Sequence, residues 1–566
     1  MSRYKAFRLY KVSEFSLDLL NMFSVSKRPT IREIRDLYET GKAIPSQVVQ
    51  FFLNRSKQID KKLNSVLEYT EDLADSLGKK QDEILLDYKE KYGAEAFEKL
   101  FSDYPLFGIP FSVKGIIQVE GYTFTASSKI LKNFKSPYSA TSYLKIEKAG
   151  GIVIGINNMD EFAMGASGEN SAYGPAKNPF DTARIPGGSS SGPIVSVSSG
   201  QVVFSLGTDT GGSIRQPAAF CDLVGLKPTY GLVSRYGVMP MASSFDQVGG
   251  VTNNVEDNIL ITKILAGKDS KDQTSIESSE LVEKLTQLLK EKENTRKTTK
   301  ITKTTKPLRI GIPKEFYIEG IEPAILAAIQ DIQKRLEVLG HTLVDVSIPL
   351  SKYAVSVYYM TMAVEAAANL ERFDGVRYAH QQEKYSELFF EHREKYFGDE
   401  PIRRILLGTY ISSAGYYDAY YNRAQKVKEL ARRDFLRVFE EVDVLLTPTT
   451  PEFPFKIGEK SSDPLKMYLS DVFTSGINPV RIPGLAVPLG LFEVDTGDME
   501  KVSTFTTEVE IDADGNEVIQ KNEEELDQPK TVLLPTGCQL LGPELSEDIL
   551  YRLAEEIELL VREKHS

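Results

Sequence analysis

Between Ile185 and Gln216 the chain reads IPGGSSSGPIVSVSSGQVVFSLGTDTGGSIRQ, and this stretch restricts the possible folds more than any other. Two clusters of small residues, Gly187-Gly188-Ser189-Ser190-Ser191-Gly192 and Gly211-Gly212-Ser213, flank an apolar run. Clustered glycines let the backbone turn tightly and approach a ligand closely. A serine hydroxyl can attack a carbonyl or relay a proton. The second cluster sits inside Asp209-Thr210-Gly211-Gly212-Ser213-Ile214-Arg215, where an acid, an arginine and an apolar residue surround the glycines; a plain linker needs none of these. Taken alone, the stretch leaves catalysis, a tight structural turn and a phosphate cradle open. Neither G-x-x-x-x-G-K-[ST] nor a strand-bound G-x-G-x-x-G accompanies it, so nothing favours a nucleotide.

The surrounding pattern is that of an α/β protein. Leu106–Val113, in PLFGIPFSVK, is short, apolar and bounded by turns, as are 151–156 and 201–207, so each reads as a buried strand. Residues 139–148 read as a helix between the first two, the alternation of a mixed sheet with helices on its faces. Further strands are expected at 308–312, 343–348 and 442–446, and helices at 255–265, 278–291, 323–339, 363–370, 416–440 and 546–562. Thr30-Ile31-Arg32-Glu33 is a capping-box signature that starts a helix ended by Gly41, and Pro45-Ser46 opens another. The polar segment 65–100 reads as a helical cover, an aromatic and acidic stretch at 378–397 belongs to a helix-rich region, and Gly225–Thr229 reads as a turn at the rim. TRKTTKITKTTK at 295–306 has no period and reads as an exposed loop, with a nucleic-acid arm as the weaker alternative. Around Asp514-Gly515, alternating residues read as a surface hairpin.

Composition removes several function classes. No apolar run approaches the roughly 20 residues that span a bilayer. The opening MSRYKAFRLYKVSEFSLDLL has neither a sustained apolar core nor a small-residue cleavage site, so a cap helix is expected there rather than a secretion signal. Glu14 and Asp18 argue against an organelle-targeting segment, which makes a cytoplasmic location the expectation over an organelle matrix. Two cysteines, Cys221 and Cys538, suit a reducing compartment and read as core fillers. The net charge of −12 disfavours gripping nucleic acid with the whole surface. Four scattered histidines, His341, His380, His392 and His565, make a Ser-His-Asp arrangement or a histidine-rich metal site a poor fit.

Cleaving a carboxamide needs a nucleophile, a group that takes its proton and returns one to nitrogen, and donors for the oxyanion. Without histidine, a buried neutral lysine drawing a proton through one serine hydroxyl from another is physically sound. Lys114, at the end of its strand, is either a solvated terminal charge or, if buried, a group pushed toward its basic form. Backbone N–H groups of the turn Thr210, Gly211, Gly212 and Ser213 would form the oxyanion nest.

The words GGSSSGP and LGTDTGGSIRQPAAFCDLVGLKPTYGLVSRYG resemble the amidase signature family. The resemblance implies that family's fold, a central mixed β-sheet covered by helices on both faces. It also implies a triad in which Lys114 matches the lysine, Ser189 the bridging serine in cis peptide linkage, and Ser213 the nucleophile. Within the family, NNMDEFAMGASGENSAYGPAKNP (157–179), ANLERFDGVRY, RRILLGTYISSAGYYDAYY and MYLSDVFT are similar to the A subunits of glutamyl-tRNA(Gln)/aspartyl-tRNA(Asn) amidotransferases. Such subunits hydrolyse glutamine and pass ammonia to a B subunit, which amidates misacylated tRNA after activation by ATP, with magnesium expected there too; a C subunit braces the pair. That implies a heterotrimer, no cofactor or metal in this chain and tRNA contacted through the B subunit. By position, Arg404 matches the arginine that holds the α-carboxylate of glutamine and Asp471 the acid that holds its α-amino group; a guanidinium fork suits a planar carboxylate.

The chain departs from the family pattern at Gly115, usually aspartate, at Ser191 and Pro193 in the first serine cluster, and at Gly249-Gly250-Val251-Thr252 in the turn after Asp246-Gln247. Pro193 is tolerable where its N–H is unneeded, as in the first turn of a helix. The resemblance makes 30–566 one catalytic domain behind an extension at 1–29, with surface insertions at 268–306 and 492–530. Two other readings stand beside it: a stand-alone amidase acting on another carboxamide, and a weakly catalytic structural subunit.

Overall fold

The computed structural model describes residues 27–295, 306–374, 378, 391–511 and 517–565, without the side chains of 294, 295, 391, 464, 496–530 and 565. The expected cap helix, most of the basic 295–306 loop, much of 378–397 and the Asp514-Gly515 turn therefore lie outside the described residues. In chain order the strands are Val66–Tyr69 (β1), Ile109–Lys114 (β2), Gly151–Asn157 (β3), Phe204–Asp209 (β4), Val224–Lys227 (β5), Gln247–Thr252 (β6), Arg309–Pro313 (β7), Thr342–Val346 (β8), Val444–Pro448 (β9), Gly484–Ile511 (β10) and Glu517–Leu541 (β11). They form one sheet of order β1-β3-β2-β4-β6-β5-β10-β11-β9-β7-β8.

Every residue of β2, β3, β4, β5, β6 and β9 is buried. Successive side chains of a strand point to opposite faces, so both faces of this part of the sheet are covered. The sheet is mixed: β2 runs parallel to β3 and β4, while β4 and β6 are antiparallel. Helices Pro45–Leu63, Ser191–Ser198 and Val255–Leu265 pack against β2 and β3, β2 and β4, and β5 and β6 respectively. The register sets Phe111 opposite Phe204 and Val113 opposite Leu206, and the two phenyl rings stack with centroids 5.1 Å apart. Continuing that register by one residue brings Lys114 to the Gly207-Thr208 end of β4.

Local signals explain most boundaries. Thr30 accepts the Glu33 N–H while Glu33 accepts the Thr30 N–H, closing the capping box at the head of Ile31–Glu39. Pro323–Leu339 ends at Gly340, whose positive φ suits glycine. The chain divides into two compact units, one of 1–490 with 535–566 and one of Leu491–Leu534, and residues 492–530 fall in the second. Cys221 and Cys538 are fully buried, and burial raises both thiol pKa values, that of Cys538 to about 12.

Four expectations need correction. Within 65–100, Val66–Tyr69 is a strand; it is half-buried at the sheet edge, which blurs its pattern. Gly225-Leu226-Lys227 is no rim turn but most of β5, buried because Lys227 Nζ finds the Pro228 and Ile482 carbonyls and the Gln247 amide inside. Gly249-Gly250-Val251-Thr252 is likewise strand, within β6. The helix expected at 416–440 begins with a π-helical turn, Asp418–Asn422, before Arg423–Glu441.

Gly249 faces the Leu226 carbonyl so closely that an added Cβ would lie 1.9 Å from its oxygen. Overpacking against backbone in a buried sheet is expected to destabilise Gly249→Ala by about 2–4 kcal/mol, read by urea unfolding against wild type.

Candidate active site

The end of β2 points Lys114 into the protein, where it is completely buried. Its Nζ donates to Ser189 Oγ at 2.8 Å and to Thr208 Oγ1 at 2.9 Å, with the Thr208 carbonyl at 3.4 Å. Burial pushes the ammonium down to about 7, against Asp160, Asp209 and Asp246, which favour the charge. A substantial fraction of Lys114 is therefore uncharged near neutrality, with a lone pair able to take a proton from a hydroxyl. Ser189 follows a cis Gly188–Ser189 peptide bond. Next to it, Ser190 N–H donates to the Ser213 carbonyl at 3.2 Å and ties the two serine clusters together.

Asp209, at the end of β4, shapes the second cluster. Its carboxylate accepts the N–H groups of Gly212 and Ile214 and two guanidinium bonds from Arg215, and also meets Asn478 Nδ2. Both members of the Asp209–Arg215 pair have fully buried side chains. Burial opposes the Asp209 charge, but Arg215 outweighs it and holds the carboxyl well below the usual range. Gly212 has φ +123° and sits so close to Thr474 that a Cβ would lie 2.1 Å from its hydroxyl. Only glycine meets both demands. The expected four-donor oxyanion nest is corrected here, because the Gly212 N–H is already given to Asp209. Among the described residues the N–H groups of Thr210, Gly211 and Ser213 have no protein acceptor.

Ser213 opens onto a cavity of about 200 Å³ whose walls include Gly211, Tyr358, Arg404, Tyr468 and Asp471. The structure thus brings Ser213, Arg404 and Asp471 to one cavity, while Lys114 and Ser189 are joined to the serine turn through the Ser190–Ser213 backbone bond. Arg404 lies over the rings of Tyr359 and Tyr468, at 4.8 and 5.1 Å, and pairs with Glu400 at 2.6 Å. Burial disfavours its charge, yet Glu400 and the tyrosines prevail and raise its pKa. Asp471 is in the opposite situation. Its Oδ1 is buried without a hydrogen-bond partner, and burial, reinforced by Asp209, raises the carboxyl well above its ordinary value. A buried carboxyl without a partner is costly unless a ligand supplies a donor.

A family model described as amidase matches residues 47–550. The chain belongs to the amidase family. Among curated relatives, the A subunit of glutamyl-tRNA(Gln) amidotransferase from a Sulfurihydrogenibium species is 44% identical over 466 residues, covering 82% of this chain and 91% of the relative. The protein of the same name from Geobacillus thermodenitrificans is 40% identical over 534 residues, covering 94% and 96%. Among solved structures, the A subunit of glutamyl-tRNA(Gln) amidotransferase from Thermotoga maritima superposes with a TM-score of 0.66 at 31% identity, over 96% of this chain and 95% of that one.

Pro193 and Gly115 depart from the amidase pattern for local reasons, and nothing in the structure explains Ser191. Pro193 lies in the first turn of Ser191–Ser198, where its missing N–H has no intrahelical acceptor to lose. Ser191 contributes a buried hydroxyl without a partner. Gly115 packs against the Asn157 carbonyl, which a Cβ would approach to 2.9 Å. Sequence reasoning missed Thr208, Asp160, Asp246 and Glu400. Glu400 had a findable signal, since it precedes Arg404 by one helical turn. Asp246, which burial pushes up to about 6, accepts from Thr210 Oγ1 and two backbone N–H groups, and had none.

A buried amine with a depressed pKa near the two serine clusters predicts a pH-dependent reactivity of Ser213, read by its labelling with a fluorophosphonate. The labelling rate is expected to rise about tenfold per pH unit below the Lys114 pKa of about 7 and to level off above it. Lys114→Arg, which stays charged, is expected to lower the plateau rate about a hundredfold or more.

Proposed function

We propose that this chain is the glutamine-hydrolysing subunit of a tRNA-dependent amidotransferase. The observation that carries the reading is the cavity itself. Ser213 shares it with a buried arginine, Arg404, and with a half-buried acid, Asp471, whose Oδ1 is buried and lacks a partner. Glutamine brings one carboxylate and one ammonium on its α-carbon, and these two side chains match them in sign. An ammonium set against Asp471 would supply the missing donor, and the charge would draw the carboxyl back to its ionised form.

Neutral Lys114 takes the Ser189 proton while Ser189 takes that of Ser213, and Ser213 Oγ adds to the side-chain carboxamide carbon. The oxyanion forms near the N–H groups of the 210–213 turn that are not given to Asp209. Collapse breaks the C–N bond, a proton returns through Ser189 to the nitrogen, and ammonia leaves an acyl-Ser213. Water, deprotonated by the same relay, adds to the ester and releases glutamate. The oriented relay and the positioned donors are each worth orders of magnitude in rate. The ammonia is used in a heterotrimer with B and C subunits. The B subunit would hold the misacylated tRNA, Glu-tRNA(Gln) with Asp-tRNA(Asn) as the alternative, and would bind ATP and magnesium for the activation step. No cofactor is needed in this chain.

A second reading draws on the Arg404–Glu400 pair. With its charge already met, Arg404 would leave a cavity suited to an uncharged amide, and the chain would be a stand-alone amidase.

Co-purified complex, wild type against Ser213→Ala, decides between them. Glutaminase activity and glutamine-dependent tRNA amidation are both expected to disappear in the variant, while amidation driven by added ammonium persists. Arg404→Lys and Asp471→Asn are expected to raise KM for glutamine about tenfold or more, since each removes a charge-assisted contact or its fork geometry. Faster turnover of simple aliphatic or aryl amides than of glutamine would establish the second reading. The free subunit is expected to hydrolyse glutamine slowly, because partner binding energy can complete such a site; brisk activity of the isolated chain would contradict this.

A further inference from the structure

Asp160 lies in the 157–179 segment, and the chemistry above makes no use of it. Its side chain is completely buried. Oδ2 accepts the Gly168 N–H at 3.0 Å and Oδ1 accepts the Asn170 N–H at 2.9 Å. Its own N–H donates to the Ser189 carbonyl at 3.2 Å. Two glycines make room for the carboxylate: a Cβ on Gly188 would lie 2.0 Å from Oδ2, and one on Gly165 2.4 Å from Cγ. Gly165, Ala166, Glu169 and Asn170 form one wall of the Ser213 cavity. One buried residue thus grips that wall with its side chain and the relay serine with its backbone.

We propose that Asp160 is a positioning residue that fastens the cavity wall at 165–170 to Ser189, so that the substrate carboxamide and the proton relay stay in register. The inference rests on the roles given to Lys114, Ser189 and Ser213 under the proposed function. A carboxylate is required because two N–H donors converge on it. Asparagine offers one acceptor oxygen and would set its own NH2 against the second donor. The carboxylate also acts on the relay electrically. Lys114 and Glu169 face it, Asp471 lies within range, and Asp209 and Asp246 act with it on Lys114. Burial pushes the Asp160 carboxyl up to about 7, and in its ionised form it favours the Lys114 charge, so its removal lowers the lysine pKa and moves the onset of activity to lower pH.

The test compares wild type with Asp160→Asn in the full chain, co-purified with its partner subunits. The acid limb of fluorophosphonate labelling at Ser213 is expected to shift down by about half a pH unit. KM for glutamine is expected to rise about fivefold as the wall loosens. A merely structural role would lower the amount of folded enzyme and leave both values where they were; an unmoved acid limb or an unmoved KM overturns the proposal. Should wild type label at Ser213 yet not hydrolyse glutamine, the substrate assignment falls while the labelling profile still judges Asp160. If Asp160→Asn does not fold, hydrogen exchange in wild type decides instead. Residues 165–170 and 186–190 are expected to open at one common rate, and separate rates would refute the link.

Discussion

The buried ion pair between Asp209 and Arg215 is the interaction on which the site's geometry depends. Arg215 also reaches Gln539 Oε1, the Thr474 carbonyl and Asn478 Oδ1, so one guanidinium joins β4, the 474–478 segment and β11. Desolvating both charges is expensive, and such pairs survive where every donor and acceptor is satisfied. Here that condition is met by backbone as well as side chains: Asp209 takes the N–H groups of the glycine turn itself. The direction in which Ser213 points therefore follows from where an ion pair, rather than the serine, is held.

Two buried cations on neighbouring elements illustrate how differently one interior treats charge. Arg215 meets a carboxylate at 2.9 Å. Lys114 has hydroxyls and a carbonyl as hydrogen-bond partners, with acids acting only through space. Desolvation without a contact partner of opposite charge brings Lys114 to the threshold of deprotonation. Asp471 repeats the second situation with opposite sign. The proposed chemistry needs this difference, for a permanently charged lysine could accept no proton and the turn is held by the direct Asp209–Arg215 contact.

Much of the framework was legible because short apolar runs bounded by turn residues mark strands buried on both faces. Residues 107–113 and 151–156 read this way, and so they stand in β2 and β3. Legibility failed where the pattern was broken by a polar residue that finds its partners only in the folded state. Lys227 made β5 look like a rim, although carbonyls from Pro228 and Ile482 receive its ammonium inside. The site divides similarly. The serine clusters, and Lys114 at a strand end, announce themselves by composition and spacing. Thr208, Asp160 and Asp246 do not, because what distinguishes them is a tertiary environment shared with residues far away in the chain. Glu400 lies between these cases, being one turn from Arg404 yet meaningful only once Tyr468 closes over the pair.

The two cysteines carry a practical consequence. Cys538 stands in β11 opposite Pro448 of β9, and Cys221 follows the helix Arg215–Phe220 directly behind the serine turn. Thiolate is the form that alkylating agents attack, and both sulfurs are protonated and out of reach of solvent. Maleimide or iodoacetamide added to the native chain therefore meets no reactive sulfur among the described residues. Alkylation becomes a clock for the opening of the protein, with one natural timer in β11 and another after the helix that carries Arg215, and no engineered label required.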